Sequence, residues 1–470
     1  MSTGYHNLQV TPFDSLELHE LYLSKMINEH TRMICTGIIP EEQKDEVVDR
    51  IERDTVIEVR QTDEEGVSRL LFSGLALSVE VSAQGGVYML EVDAISSTYL
   101  LDRKRKSRSF QQAKLTIPEL LRQIGQDYPG LDAMDEGTGG AKLGRFTLQY
   151  EETDWEFLRR LASRFRTSLV PAAQFDKPKF YFGIYEQETG IKLQPGTYTM
   201  RKRLAPYHYF TENDTISVHE HDFTVMELQT QEVLELGGSL VLQGRRFYVY
   251  EAHTSMQHGL LTHQYLLCPH KGLRKKRLYN ERLIGASLPG TVIAVGADKV
   301  KVHLDIDEAQ EASKAHWFPY TTAYGAGGNT GWYVMPEIGD RVAVYFPGKE
   351  EAEAVAGAAV RGNRQASASN KLGNPQVKLL RTPSGKEIRL GPDELVISGK
   401  EGEIYISLSE KEGISLTSSK QLSLRANGAL TLKAKTISLS ADKELQIDCK
   451  GSTLNMAGLT SLVGSEVKSN

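Results

Sequence analysis

Five stretches of this chain, of four kinds, bring together residue types that could do chemistry. His219-Glu220-His221-Asp222 sets two imidazoles two residues apart. On a strand they would share one face and form half of a metal site. No third ligand follows at a recognisable spacing, so the pattern fits surface or interface histidines better than a metal centre. Gly325-Ala326-Gly327-Gly328-Asn329-Thr330-Gly331 is glycine-rich enough to approach a phosphate. Its spacing is not the dinucleotide fingerprint and no helix follows, so it reads as a loop of a barrel. Gly348-Lys349 is followed by Glu350 where a phosphate-binding loop needs Ser or Thr, and the upstream glycine of that motif is missing. There is no Gly-x-Ser-x-Gly nucleophile elbow. The sequence predicts no catalytic residue, no metal site, no cofactor and no enzyme activity.

Two basic runs, Arg103-Lys104-Arg105-Lys106 and Lys271 to Arg277, are the fourth kind of candidate. They sit in a chain with a formal net charge of -6. Such a balance gives no general attraction to nucleic acid or anionic membranes. The runs are expected on solvated or subunit-contact faces, with no nucleic-acid partner.

The elements that must position these residues fall into three textures. With 470 residues, one core is too few, and roughly two to four domains are expected. Cys35, Cys268 and Cys449 are too few and too far apart for a disulfide framework or a paired-thiol metal motif, which fits a reducing assembly compartment. Met1 to Val10 shows no leader pattern, and the alanine-rich Ala352 to Val360 is too short to span a bilayer.

Residues 1–280 are mixed. Thr55 to Arg60 and Gly86 to Asp93 alternate as strands do. A helix follows Thr116, with Pro118 in its first turn and Leu120, Leu121 and Ile124 as its apolar face. A second opens at Thr153, whose spacing to Glu156 is that of a capping box. Phe157, Leu158, Leu161, Ala162 and Phe165 then form one stripe.

Residues 281–362 read as all-β. Pro289-Gly290 is expected to open the region with a turn. Val292 to Val295, Val300 to Leu304 and the alternating Val342, Val344 and Phe346 are short strands. Trp317, Phe318, Tyr320, Trp332 and Tyr333 are expected as aromatic filling around the glycine-rich loop. Together these predict a small Greek-key barrel of the OB type. Residues 363–380 form a linker, small and polar from Gln365 to Asn370.

From residue 381 an apolar pair with one residue between recurs every seven to ten positions. The pairs are Ile388/Leu390, Leu395/Ile397, Ile404/Ile406, Ile414/Leu416, Leu422/Leu424, Leu430/Leu432, Ile437/Leu439, Leu445/Ile447 and Leu454/Met456. Each pair lies on one strand face and cannot bury it alone. The unit is shorter than a turn of an ordinary single-chain β-helix, which takes roughly twenty residues. That favours a prism in which three chains each supply a side. Its core would hold Ile404, Ile406, Ile414, Leu416, Leu422, Leu424, Leu430, Leu432, Ile437, Leu439, Leu445 and Ile447. The alternatives are a monomeric solenoid or an unfolded polar tail.

Three blocks resemble one family, the VgrG-type central spikes of contractile injection systems. The first runs from Leu100-Leu101-Asp102-Arg103 through Ser107 to Gln111. The second, Tyr150 to Ala162, is similar to the family's Tyr-x-Glu-Ser/Thr-Asp-Trp-x-Phe-Leu signature at Tyr150, Asp154, Trp155, Phe157 and Leu158. The third, Pro336 to Phe346, resembles the end of its OB domain at Pro336, Ile338, Gly339, Asp340 and Val342, and Thr382 to Lys386 sits where the family's rod begins.

The resemblance implies a mainly β fold with minor α content. It has a tail-hub region over residues 1–280, an OB collar over 281–362 and a β-helical spike over 381–470, assembled as a homotrimer. It also implies partners: the inner tube protein, baseplate proteins, a PAAR-type tip protein, cargo effectors, and the target membrane in passing. Assembly in the bacterial cytoplasm and release with a tail-like particle or secretion apparatus follow from the same source. The layout shows no catalytic insert before the rod, no effector domain before Asn470, and no histidine after His316 for an apical iron site. A separate tip is therefore expected over Leu459 to Val463. Rival readings are an OB-fold carbohydrate- or nucleic-acid-binding protein and a trimeric tail-fibre adhesin.

Overall fold

Strand alternation decides most of the first part of the chain. The computed structural model describes residues 7–62, 66–186, 188–189, 197–214, 217–257, 259–325, 331–360 and 374–456. Two compact units divide it, Met1–Asn363 and Arg364–Asn470.

In the first unit, β1 (Leu8–Thr11), β2 (Glu17–Met26), β3 (Arg32–Ile39), β4 (Val56–Thr62), β5 (Ser68–Gln84) and β6 (Val87–Ser96) come in succession, with the short helix α1 (Lys44–Asp49) after β3. β4 and β6 are the segments whose alternation predicts strands. On β3, Met33, Cys35 and Ile39 are buried and alternate with the half-buried Ile34, Thr36 and Ile38, the two-residue period of a strand.

A helical lobe interrupts the strands. It holds β7 (Arg105–Phe110), α2 (Ile117–Gly125), β8 (Asp132–Asp135), β9 (Thr147–Thr153), α3 (Asp154–Arg164), β10 (Leu169–Pro171) and β11 (Lys179–Phe182). Both predicted helices form, and both start on a complete capping box, Thr116 with Glu119 and Thr153 with Glu156. Leu120, Leu121, Ile124, Trp155, Phe157 and Leu158 meet in one core with Phe180 and Phe182.

The chain then returns through β12 (Tyr198–Lys202), α4 (Leu204–Asn213), β13 (Thr224–Thr230), β14 (Ser239–Leu242), β15 (Arg245–Gln257) and β16 (Leu260–Cys268). These join the first strands in an 11-stranded sheet in the order β1-β4-β5-β6-β3-β2-β15-β16-β13-β12, with β14 on β15. The seam is the antiparallel pairing of β2 with β15, and each half of the sheet has its own apolar core.

His263 lies buried in β16, with Nδ1 2.7 Å from Thr254 Oγ1. Burial, reinforced by the charges of Lys25 and Arg69, pushes its pKa from 6.5 down to about 4. The folded protein therefore keeps this imidazole neutral where the unfolded chain protonates it. Its contribution is complete above pH 6.5 and is lost as pH falls towards 4, about 3 kcal/mol in all. The melting temperature should drop over that interval, and His263→Gln should flatten this part of the slope.

The barrel comprises β17 (Ser287–Val295), β18 (Lys299–Leu304), β19 (Trp317–Pro319), β20 (Arg341–Tyr345) and β21 (Val355–Val360), in the order β19-β18-β17-β20-β21. A parallel bridge from Tyr320 to Ala356 brings the two ends together, with Thr321 N donating to Ala356 O at 2.8 Å.

Two expectations need correction here. Pro289-Gly290 is not a turn but lies inside β17, paired to both β18 and β20. Gly290 serves a close approach: a Cβ there would sit 2.5 Å from Val302 Cγ1 and 2.6 Å from the His303 carbonyl oxygen. Gly290→Ala should therefore destabilise the barrel by about 1–3 kcal/mol. Gly428→Ala, with nothing within 4 Å of its Cβ position, should leave thermal unfolding unchanged. The aromatic filling also differs from expectation. Phe318 is buried, but Trp332 and Tyr333 are 66% and 74% exposed. Their place is taken by Phe146, which comes from just before β9 and meets Phe318 at 5.1 Å between ring centroids.

The second unit begins with β22 (Lys378–Arg381), which includes the last residues of the predicted linker; Gln365 to Asn370 lie outside the described residues. It pairs antiparallel with β23 (Glu387–Leu390), followed by β24 (Glu394–Lys400), β25 (Ile404–Ser409) and β26 (Gly413–Ser418). A separate hairpin joins β27 (Leu445–Cys449) and β28 (Ser452–Met456). Residues 419–444 form no strand, although the repeat predicts three there. A strand needs a neighbour for its backbone N–H and C=O groups, and one copy of the chain supplies none to this stretch.

Candidate functional site

The signature around α3 is a folding device. Asp154 is fully buried, and its carboxylate accepts from Lys106 Nζ at 2.6 Å, Tyr128 OH at 2.6 Å, Gln149 Nε2 at 2.9 Å and Arg108. Burial and the Asp154 carboxylate keep the Tyr128 phenol protonated well above its ordinary range. Of the first basic run, Lys106 is thus spent on a buried carboxylate, while Arg103, paired to Asp54 at 3.2 Å, Lys104 and Arg105 are exposed. Trp155 Nε1 donates to the Asn28 carbonyl at 3.0 Å, tying the helical lobe to the large sheet. Phe157 and Leu158 are core, and Tyr150 packs half-buried against the barrel.

Behind α3 lies a buried ionic joint between the hub and the barrel. Arg160 grips Glu152 with two nitrogens, both at 2.7 Å, and reaches Glu351 Oε1 at 2.9 Å. Glu351, ahead of β21, also accepts from Leu148 N at 3.1 Å and faces Arg164 at 3.7 Å. Burial pulls the Arg164 guanidinium down to about 10. Glu350 takes Arg277 of the second basic run at 2.7 Å. Asp307 accepts from Ser109 N at 2.7 Å, and Gln111 bonds the Val302 carbonyl and the His316 N–H, both at 3.0 Å. These contacts make hub and barrel one body. Sequence reasoning misses the joint, because Arg160 and Glu351 are 191 residues apart and no local pattern marks either.

In the third block, the turn at Ile338 to Asp340 docks on β17. Gly339 N donates to Val292 O at 2.8 Å and Val292 N to Asp340 O at 2.9 Å. Gly339 sits at φ 94°, which favours glycine, and Asp340 Oδ2 accepts from Glu337 N at 2.8 Å. Pro336 and Val342 are buried, whereas Ile338 is exposed.

The chemical candidates resolve differently. His219 and His221 are not on a strand; His219 caps and His221 lies within a single 3₁₀ turn, with rings stacked 5.3 Å apart. Among the described residues no three His, Cys, Asp or Glu side chains are grouped to hold a metal ion. Gly325 pairs with Gly331 across a hairpin whose tip lies outside the described residues. Lys349 lies over the Tyr279 ring at 4.3 Å.

The ladder of the second unit presents the repeat residues in register. Leu380, Ile388, Ile397, Ile406 and Leu416 stand opposite one another, and so do Leu390, Leu395, Leu408 and Ile414. All point to one face. The other face carries ion pairs, including Arg381 with Glu387 at 3.1 Å and Arg389 with Glu394 at 2.8 Å. The apolar stripe is largely uncovered: Ile404, Ile406, Ile414, Leu416 and Ile447 are exposed, as are Leu422, Leu424, Leu430, Leu432, Ile437 and Leu439 of the unpaired stretch. Leu445 is half-buried. One copy does not bring the predicted spike core together.

A hub built on one 11-stranded sheet, an OB barrel locked to it, and a ladder with one apolar face fit a structural tail hub and spike. The comparisons agree. Residues 45–164 match the family described as the phage tail baseplate hub (GPD), and residues 288–360 match the type VI secretion system/phage-baseplate injector OB domain. No curated protein matches the sequence.

Among solved structures, the chain is similar to the E. coli c3393 protein, described as a type VI secretion component resembling the T4 tail proteins gp27 and gp5. Identity is 14%, over 76% of this chain and 100% of that one, with a TM-score of 0.53. It is also similar to a chain of the half-lidded Francisella PdpA-VgrG complex, at 9% identity over 86% of this chain and 84% of that one, with a TM-score of 0.53. The resemblance carried by the three sequence blocks is therefore that of a VgrG-type hub and spike, mainly β with few helices.

Proposed function

We propose that the protein works as a homotrimer in which three ladders close their apolar faces on one another as an intertwined spike. The observation that carries this reading is the in-register stripe that one copy leaves open, continued by a stretch that carries the same repeat and forms no strand in one copy. An exposed face of that length is an aggregation hazard unless covered, and its repeat suits a copy of itself. In this reading residues 1–280 form the hub that caps and nucleates the inner tube, 281–362 the collar, and 381–470 the needle. The trimer core is the set of Ile and Leu pairs from Ile404 to Ile447.

Sheath contraction then drives the spike through the target envelope, with baseplate proteins around the hub and a separate tip protein at the far end. The work asked of the chain is stiffness and a closed surface, and no covalent step is needed. Deleting the gene should leave particles without properly assembled tubes when viewed by electron microscopy. Tubes of normal length and number in the deletion strain would refute the role in nucleation.

A further inference from the structure

A cleft of 440 Å³ opens on the large sheet. Its floor is apolar. Met26 of β2 and Leu266 of β16 stand on either side of Glu251 of β15 in the sheet register, and the Tyr250 ring lies beside them. Its rim is cationic: Arg201 is the last residue but one of β12, Arg203 directly follows that strand, and Lys275 comes from the second basic run.

The negative charges nearby are already engaged. Glu251 is bonded to His253 at 2.8 Å. Glu227 accepts from Gln264 at 2.6 Å and lies 3.9 Å from Arg201. Glu29, whose charge acts on Lys275, is paired with Arg159 at 3.4 Å. Among the described residues the side chains of Arg203 and Lys275 have no hydrogen-bond or ion-pair partner. Burial, followed by the charges of Arg203 and Arg159, holds the Lys275 ammonium below its ordinary range. Lys275 is partly buried, and a desolvated ammonium without a hydrogen-bond or ion-pair partner is costly to the fold, so a ligand carboxylate that reaches it relieves that cost.

We infer that this cleft is a binding site for a carboxylate carried on an apolar stem and presented by a peptide segment of a partner protein. The apolar floor takes the stem, and Arg203 and Lys275 take the carboxylate through charge-assisted hydrogen bonds. A bare phosphate would use the rim and leave the floor empty. The confined shape and the net charge of -6 speak against a nucleic-acid backbone.

The test is isothermal titration of the full chain with N-acetyl-phenylalanine, its primary amide, and inorganic phosphate. The acid should bind, and the amide and phosphate should bind at least about tenfold more weakly. Arg203→Gln with Lys275→Gln should weaken the acid by at least about tenfold, and Lys275→Arg should retain it. Arg203, which is exposed, is also replaced alone, so that the result does not depend on the folding of the double variant. Equal binding of acid and amide, tighter binding of phosphate, undiminished binding in folded Arg203→Gln, or no binding of the acid at tens of millimolar would each overturn the assignment.

Discussion

Leu424→Lys combined with Leu432→Lys is expected to abolish stable trimers while the hub and barrel remain folded. In a single copy these side chains are 58% and 63% exposed, so a monomeric protein would tolerate the change to within about 0.5 kcal/mol. In a three-chain spike the same change removes six buried leucines. At about 1.5–3 kcal/mol each, that is on the order of 10 kcal/mol, before the cost of placing six ammonium groups near the axis. The two readings therefore differ by far more than experimental error. Light scattering and thermal unfolding of the variant decide between them: unchanged trimer mass and melting behaviour would contradict burial of the stripe.

Glu351→Ala should have the next largest effect, on the joint and not on the spike. It leaves Arg160 without one of its two carboxylate partners and Arg164 without the carboxylate that faces it. Removing one partner of a buried ionic cluster typically costs about 3–5 kcal/mol, because the remaining charge stays desolvated. Glu351→Gln keeps an acceptor for Arg160 and should lose less. Lys411→Ala breaks a pair to Asp393 whose side chains are both largely exposed and should change stability by less than about 1 kcal/mol. Urea unfolding combined with limited proteolysis checks the set, the expected result being a barrel that loosens from the hub first in Glu351→Ala. Equal stability of Glu351→Ala and the parent would remove the joint from the account.

The parts of the fold legible in the sequence are those whose cause is local or periodic. The capping box of Thr153 with Glu156 was readable because its bonds are made within one turn, and the helix after Thr116 was readable from Pro118 and its apolar face, its own box with Glu119 adding to that in the structure. The ladder was readable because every Ile or Leu pair repeats the same face. The barrel strands around Val292, Val300 and Val342 were readable from alternation, but Pro289-Gly290 was not. A Pro-Gly pair signals a turn by composition alone, and only the approach of Val302 and the His303 carbonyl explains this glycine.

Long-range features stayed hidden for the same reason. Phe146 filling the barrel, Arg160 meeting Glu351, Lys106 meeting Asp154 and Arg277 meeting Glu350 all join residues far apart in the chain. The strand placement considered for His219 and His221 gives way to a 3₁₀ turn, a backbone that a two-residue spacing alone does not reveal.

The most direct measurement is the solution mass of the purified full-length chain by light scattering. The account predicts a particle of three times 52.4 kDa, held together by the stripe that a single copy leaves open. A folded, soluble full-length monomer would contradict it, because the apolar face of the ladder would then have no partner to cover it.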